Sequence, residues 1–165
     1  MPNVTVAEHV KASAPKVWET VGRFDGIHKW APGIKSAETQ GSGAGAIRTL
    51  TLAGGDVLVE KQIARADDPL AYTYSIETGG LGLASHIRTL MVMDHGDGSC
   101  TVSWVCNYEA KDTTRTEAIG AGLRNFYKAG VAAIKKRFEP TVISGLTAAA
   151  QRAPTPPPTA PLRKK

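Results

Sequence analysis

Four residues in the middle of the chain carry side chains suited to acid–base chemistry or to anchoring a polar group: Arg48, Glu60, Tyr72 and Tyr74. Arg48 lies in the strand-like run 46–52 and Glu60 in the next run, 57–66. Alternate residues of an extended segment share a face. Arg48 therefore lies with Leu50 and Leu52, and Glu60 with Leu58 and Gln62. If the two runs pair in an antiparallel sheet, the guanidinium and the carboxylate come within reach of one another. Buried charges are costly unless paired or hydrogen-bonded. Such a pair reads either as an ion pair at the rim of a cavity or as an anchor for a ligand carboxylate, carbonyl or hydroxyl, or for a water beside it. Tyr72, Tyr74 and Ile76 share one face of their run, as do Trp104, Cys106 and Tyr108 of the last one. Aromatic walls with a few polar tips line small-molecule pockets, and they also make ordinary cores.

Other chemistries find less support. His28 reads as a solvated surface residue, or as a general base whose ordinary pKa is near neutrality. The four histidines show no paired spacing with Cys, Asp or Glu of the kind zinc sites use. On one strand Cys100 and Cys106 would stand ~20 Å apart, too far for a disulfide. They read as reduced structural thiols, which places the chain in the cytoplasm. No nucleophile elbow, metal motif or phosphate loop is present, so neither metal nor cofactor is expected.

The elements that must position these residues belong to one domain. A chain of 165 residues with 42% hydrophobic composition suits a single core. It has no apolar run long enough for a membrane span, and its start lacks the basic and apolar blocks of a secretory signal. Of the formal charge of +5, four units come from Arg152, Arg163, Lys164 and Lys165 near the end, which leaves the folded part near +1. That distribution argues against a nucleic-acid domain, which concentrates positive charge on its folded surface. The domain is expected to span residues 1–146. A Pro-rich basic segment over 147–165 reads as a disordered tail, solubilising or available to dock a partner in a polyproline conformation.

Residues 4–10 alternate as a strand. Ser13 and Pro15 open a short helix with Val17, Trp18 and Val21 on its apolar face, and a helical turn over 24–30 stops at Pro32-Gly33. Turn residues then separate strand-like runs at 46–52, 57–66, 71–77, 85–94 and 100–109. No connection is long enough for a helical crossover, so the sheet should be antiparallel. A capping-box pattern at Thr114–Glu117 opens a long helix whose inner face carries Ile119, Leu123, Phe126, Gly130, Ile134 and Phe138, with Asn125 and Tyr127 at its edges; Glu139-Pro140 should kink or interrupt it. One helix cannot fill the face of a six- or seven-stranded curled sheet. Glycine inside a helix costs about 1 kcal/mol against alanine. Gly122 and Gly130 on that face therefore suggest either room kept for a pocket or close helix–sheet packing.

The segments Val17–Phe24, His28–Ile34, Gly45–Leu52, Val59-Glu60, Tyr72–Ile76 and the Trp104 strand resemble the START-like (SRPBCC, Bet v 1-like) superfamily over about residues 3–139. The resemblance is to the branch of polyketide cyclase/dehydrase and lipid-transport proteins, related to plant abscisic acid receptors. It implies an α+β helix-grip fold: a curved antiparallel sheet of six or seven strands around a long C-terminal helix, with two short helices after the first strand. It also implies a deep cavity between sheet and helix, with Arg48 and Glu60 turned inward. The expected lining is Trp30, Arg48, Leu50, Glu60, Tyr72, Tyr74, Ile87, Thr89, Trp104, Phe126 and Gly130. A one-residue slip in the 85–94 strand would instead bring His86 and Arg88 inside. The receptors' gate and latch motifs are missing from 52–56 and 79–84, and Ala31 stands where their hormone-binding lysine would fall, so hormone sensing of that kind is not expected. The glycine-rich turns at those two places suggest mobile lips around an entrance.

Two functions follow from the resemblance. One is a carrier or sensor of a small, largely apolar metabolite that is lipid-, polyketide- or terpenoid-like. The other is a polyketide cyclase/dehydratase-like enzyme with Glu60 as base, Arg48 stabilising an enolate, and Tyr72 or Tyr74 donating a proton. Either would act as a monomer or as a homodimer joined at edge strands.

Overall fold

A computed structural model describes residues 1–79 and 81–139. The expected tail and the boundary at residue 146 lie outside the described residues. Seven strands form one antiparallel sheet: β1 (Asn3–Val10), β2 (Ile34–Gln40), β3 (Ile47–Leu52), β4 (Val57–Asp67), β5 (Leu70–Thr78), β6 (Leu83–Asp94) and β7 (Cys100–Ala110). Their order is β1-β7-β6-β5-β4-β3-β2, so successive hairpins form a meander from β2 to β7 and β1 closes the far edge. Between β1 and β2 stand helix α1 (Ala14–Val21) and a 3-10 helix, Phe24–Lys29. Helix α2 (Thr116–Phe138) ends the described chain. This is the helix-grip fold.

Local chemistry explains most boundaries. α1 starts with Pro15 in its first turn, where a missing N–H costs nothing, and buries Ala14, Val17, Trp18 and Val21. Ser13 is its N-cap residue, yet its hydroxyl makes no capping bond. The start of α2 also differs from the capping box expected at Thr114–Glu117. The Asp112 carboxylate accepts from the Thr114 N–H at 3.0 Å and its hydroxyl at 2.6 Å, which holds a 3-10 turn, Thr113–Arg115, ahead of the helix. An ionised acceptor outcompetes a hydroxyl for those donors.

α2 lies over β1 and β7 and is fastened near both ends. The Tyr108 hydroxyl donates to the Thr116 carbonyl at 2.9 Å. At the other end the Glu139 carboxylate accepts from the Lys11 N–H at 2.7 Å, and Lys135 meets Glu8 at 3.2 Å. The buried stripe of α2 is Ile119, Gly120, Leu123, Tyr127, Gly130, Val131 and Ile134. It includes Tyr127, which is fully buried rather than at an edge, because steps of four from Ile119 through Leu123 arrive there.

Candidate functional site

The sheet and α2 enclose a cavity of about 300 Å³. Its apolar walls come from Ile27, Ile34, Leu50, Leu52, Leu58, Trp104, Ile119, Leu123 and Phe126. Exposed Leu81 and Gly122 mark its outer end. Glu60, Tyr74 and Arg88 supply its polar inner wall.

The register puts these groups together. Arg48 faces Glu60 directly across β3 and β4, and Leu50 faces Leu58. Tyr74 faces Arg88 across β5 and β6, and Arg88 in turn faces Cys106 on β7. Arg48 and Glu60 form the expected ion pair: Nε and Nη2 reach the same carboxylate oxygen, Oε2, at 2.7 and 2.6 Å. The remaining Arg48 nitrogen, Nη1, donates to the Phe24 carbonyl at 2.6 Å. The guanidinium carbon lies over the Phe24 ring, 4.0 Å from its centroid. Burial works against the Arg48 charge, but the Glu60 carboxylate opposes that and holds its pKa above the ordinary value. Burial, helped by Glu60, likewise pushes the Tyr74 phenol well above its ordinary pKa, so it keeps its proton. Its oxygen accepts from the Trp104 indole at 2.9 Å.

Of the residues expected to line the cavity, Leu50, Glu60, Tyr74, Trp104 and Phe126 do so. Arg48 is fully buried behind Glu60 and supports it rather than facing the space. Tyr72 is packed among Trp18, Phe24 and Tyr74, with ring centroids 5.7–5.9 Å apart. It lines no part of the cavity. Burial raises its pKa against the opposing charge of Arg48, so this phenol too stays protonated. Trp30 packs on Trp104 at 5.5 Å. Gly130 lies beneath the same indole, and a Cβ there would stand 2.7 Å from Trp104 Cζ3. Gly130 therefore serves close packing, whereas a Cβ at Gly122 would meet nothing within 4 Å. His28 is half-buried in the 3-10 helix and does not reach the cavity.

Ile87 and Thr89 are corrections. Ile87 is 44% exposed on the outer face, and Thr89 pairs there with Thr73 at 3.0 Å. The alternative register applies: Arg88 is buried at the cavity and His86 is half-buried on the same face. β6 is apolar on both sides, with Ile87, Met91 and Met93 opposing Leu90 and Val92, so hydrophobic alternation does not choose its inner face. The usable signal was the Tyr74 partner: an aromatic set inward obliges its cross-strand neighbour to point the same way.

The fold also recurs among solved structures. The protein XoxI from Bacillus cereus is 24% identical and superposes with a TM-score of 0.76, covering 84% of this chain and 96% of its own. A protein from Bacillus thuringiensis is 23% identical with a TM-score of 0.75, over 83% of this chain and 98% of its own. Norcoclaurine synthase from Thalictrum flavum, in complex with dopamine and hydroxybenzaldehyde, is 24% identical with a TM-score of 0.67, over 82% and 85%. No curated protein matches the chain. Residues 1–139 match the model of one family, so the sheet, the helix and the cavity between them belong to a member of the polyketide cyclase / dehydrase and lipid transport family.

Proposed function

We propose that the protein binds a small, largely apolar metabolite in this cavity, as a carrier or sensor in the cytoplasm. The observation that carries the reading is an apolar space of about 300 Å³ that ends on a few convergent polar groups. Its size falls at the lower end of the roughly 300–1,000 Å³ of small-molecule sites. Two free, buried thiols, Cys100 and Cys106, support a reducing compartment. The test is native mass spectrometry of the purified protein, followed by solvent extraction and identification of what it holds. A discrete apolar compound at one per chain is the expected result. A bare chain whose melting temperature no apolar small molecule raises would overturn the reading.

A second reading, a cyclase/dehydratase-like enzyme, draws on one feature. Arg48 engages only Oε2 of Glu60, while Oε1 stands at the cavity wall with Arg88 at 3.7 Å. A carboxylate oxygen beside a cation suits removal of a proton next to a carbonyl and stabilisation of the resulting enolate. In this reading Glu60 is the base, Arg88 takes the enolate role in place of Arg48, and Tyr74 returns the proton. Wild type and Glu60→Gln would be incubated with a short poly-β-ketone thioester. Cyclised, dehydrated product formed by wild type alone supports the enzyme. Equal background rates reject it.

A further inference from the structure

The polar wall of the cavity does not balance its own charge. Three charged side chains are buried there: Arg48 at 0% exposure, Glu60 at 2% and Arg88 at 3%. Arg48 is provided for by Glu60 Oε2 and the Phe24 carbonyl. Arg88 is not. Its closest acid contact, Nη1 to Glu60 Oε1, is 3.7 Å, beyond hydrogen-bonding distance. Its Nε and Nη2 are fully buried with no acceptor among the described residues. One carboxylate thus serves two guanidiniums, and a unit of positive charge remains at the wall of an otherwise apolar space.

The surrounding groups offer this charge no relief. The Tyr74 oxygen already accepts from Trp104 and retains a proton to give. The Tyr127 hydroxyl, whose neighbours include Arg88 and the Cys106 thiol, is buried with no nitrogen or oxygen partner among the described residues. Cys106, opposite Arg88 in the sheet, contributes a thiol. Among the described residues, donors at this end outnumber acceptors, the acceptor left open being Glu60 Oε1. Buried donors and charges are costly unless something completes them.

We propose that Arg88 is the anchor for the head group of the cavity's ligand, and that this head group is a carboxylate. Nε and Nη2 are walled in, so Nη1, beside Glu60 Oε1, is the nitrogen that meets a carboxylate oxygen in the cavity, through one charge-assisted hydrogen bond. A monoanion cancels the single excess charge, and the Tyr74 phenol on the same wall can donate to it. A water would satisfy the donors but would leave the charge. The apolar walls then hold the hydrocarbon or aromatic body of the acid. This inference rests on the binding reading above and adds to it the chemical class of the ligand.

The test compares 2-naphthylacetate with 2-naphthylacetamide, alike in size but different in charge, by isothermal titration against the whole chain and Arg88→Met. Wild type should bind the acid at least about tenfold more tightly than the amide, the worth of one charge-assisted hydrogen bond. Arg88→Met should lose that preference, weakening the acid far more than the amide. Equal binding of acid and amide by wild type overturns the carboxylate anchor while the cavity reading stands. A preference that survives in Arg88→Met also overturns it and makes Arg88 a structural partner of Glu60. Failure of both compounds to bind at about 1 mM counts against the cavity reading itself and removes this inference with it. If Arg88→Met does not fold, the two wild-type titrations decide alone.

Discussion

The space between the sheet and α2 is filled at one end and open at the other, although one helix roofs both. At the filled end Gly130 lets the helix settle onto Trp104, Tyr127 stacks on the same indole at 4.5 Å, and Trp30 closes the side. Two turns earlier, a Cβ at Gly122 would meet no atom of the described residues within 4 Å. Two glycines on one helix thus have opposite purposes. The first permits contact between an aromatic ring and a backbone; the second leaves a gap. What separates them is the residue opposite, and the sheet supplies it.

That contrast can be broken from either side. Tyr127→Ala should have the largest effect, about 3–5 kcal/mol of lost stability, because it empties the filled end of a fully buried ring. Denaturant titration reads it directly. Gly130→Val should cost less, about 1–3 kcal/mol, since the new side chain must push Trp104 aside. By the same measurement Gly122→Ala should gain up to about 1 kcal/mol, the helix preference of alanine over glycine with nothing in its way. A loss at Gly122 comparable to that at Gly130 would erase the distinction between the two ends.

A further effect concerns pH and the strand that carries Arg88. Burial, with the Arg88 charge adding to it, brings the His86 imidazole down from 6.5 to about 4. Its Nε2 accepts from the Ile76 N–H, a bond the neutral ring can make. As pH falls below 6.5 the unfolded chain takes up this proton first, so the contribution is complete above 6.5 and is lost on the way down to about 4. His86→Gln should flatten the fall in melting temperature over that interval. A slope unchanged by the substitution would mean that the imidazole is not held neutral.

The sequence disclosed the fold more readily than the site, for physical reasons that particular elements make plain. Glycine and proline punctuation marks five of the seven strands, and period 3.6 marks α2. β2 stays faint because Ile-Lys-Ser-Ala-Glu-Thr-Gln is an edge strand whose only fully buried residue is Ile34. The Arg48–Glu60 pair is legible because each lies at a fixed parity on its strand, and antiparallel pairing does the rest. Arg88 is harder, since both faces of β6 are apolar and one step of register exchanges it with Ile87. Tyr72 and Tyr74 have identical credentials as a period-2 pair, yet one is walled off by Trp18 and Phe24 and the other reaches the cavity. That difference depends on the depth of the layer, which alternation along a strand does not encode.

The fastening of α2 near both ends has a kinetic consequence. With Thr116 tied to Tyr108 and Glu139 tied to Lys11, swinging the roof away to admit a guest would break a contact at each end. Passage is left to the rim, where Leu81 and Leu52 stand beyond the polar groups that would recognise a head group. Affinity and exchange rate are thereby assigned to different stretches of chain. A substitution at Leu81 should speed or slow arrival and departure together and leave their ratio nearly unchanged, whereas one at Arg88 should act chiefly on departure. The time a guest stays and the strength with which it is held can thus vary independently.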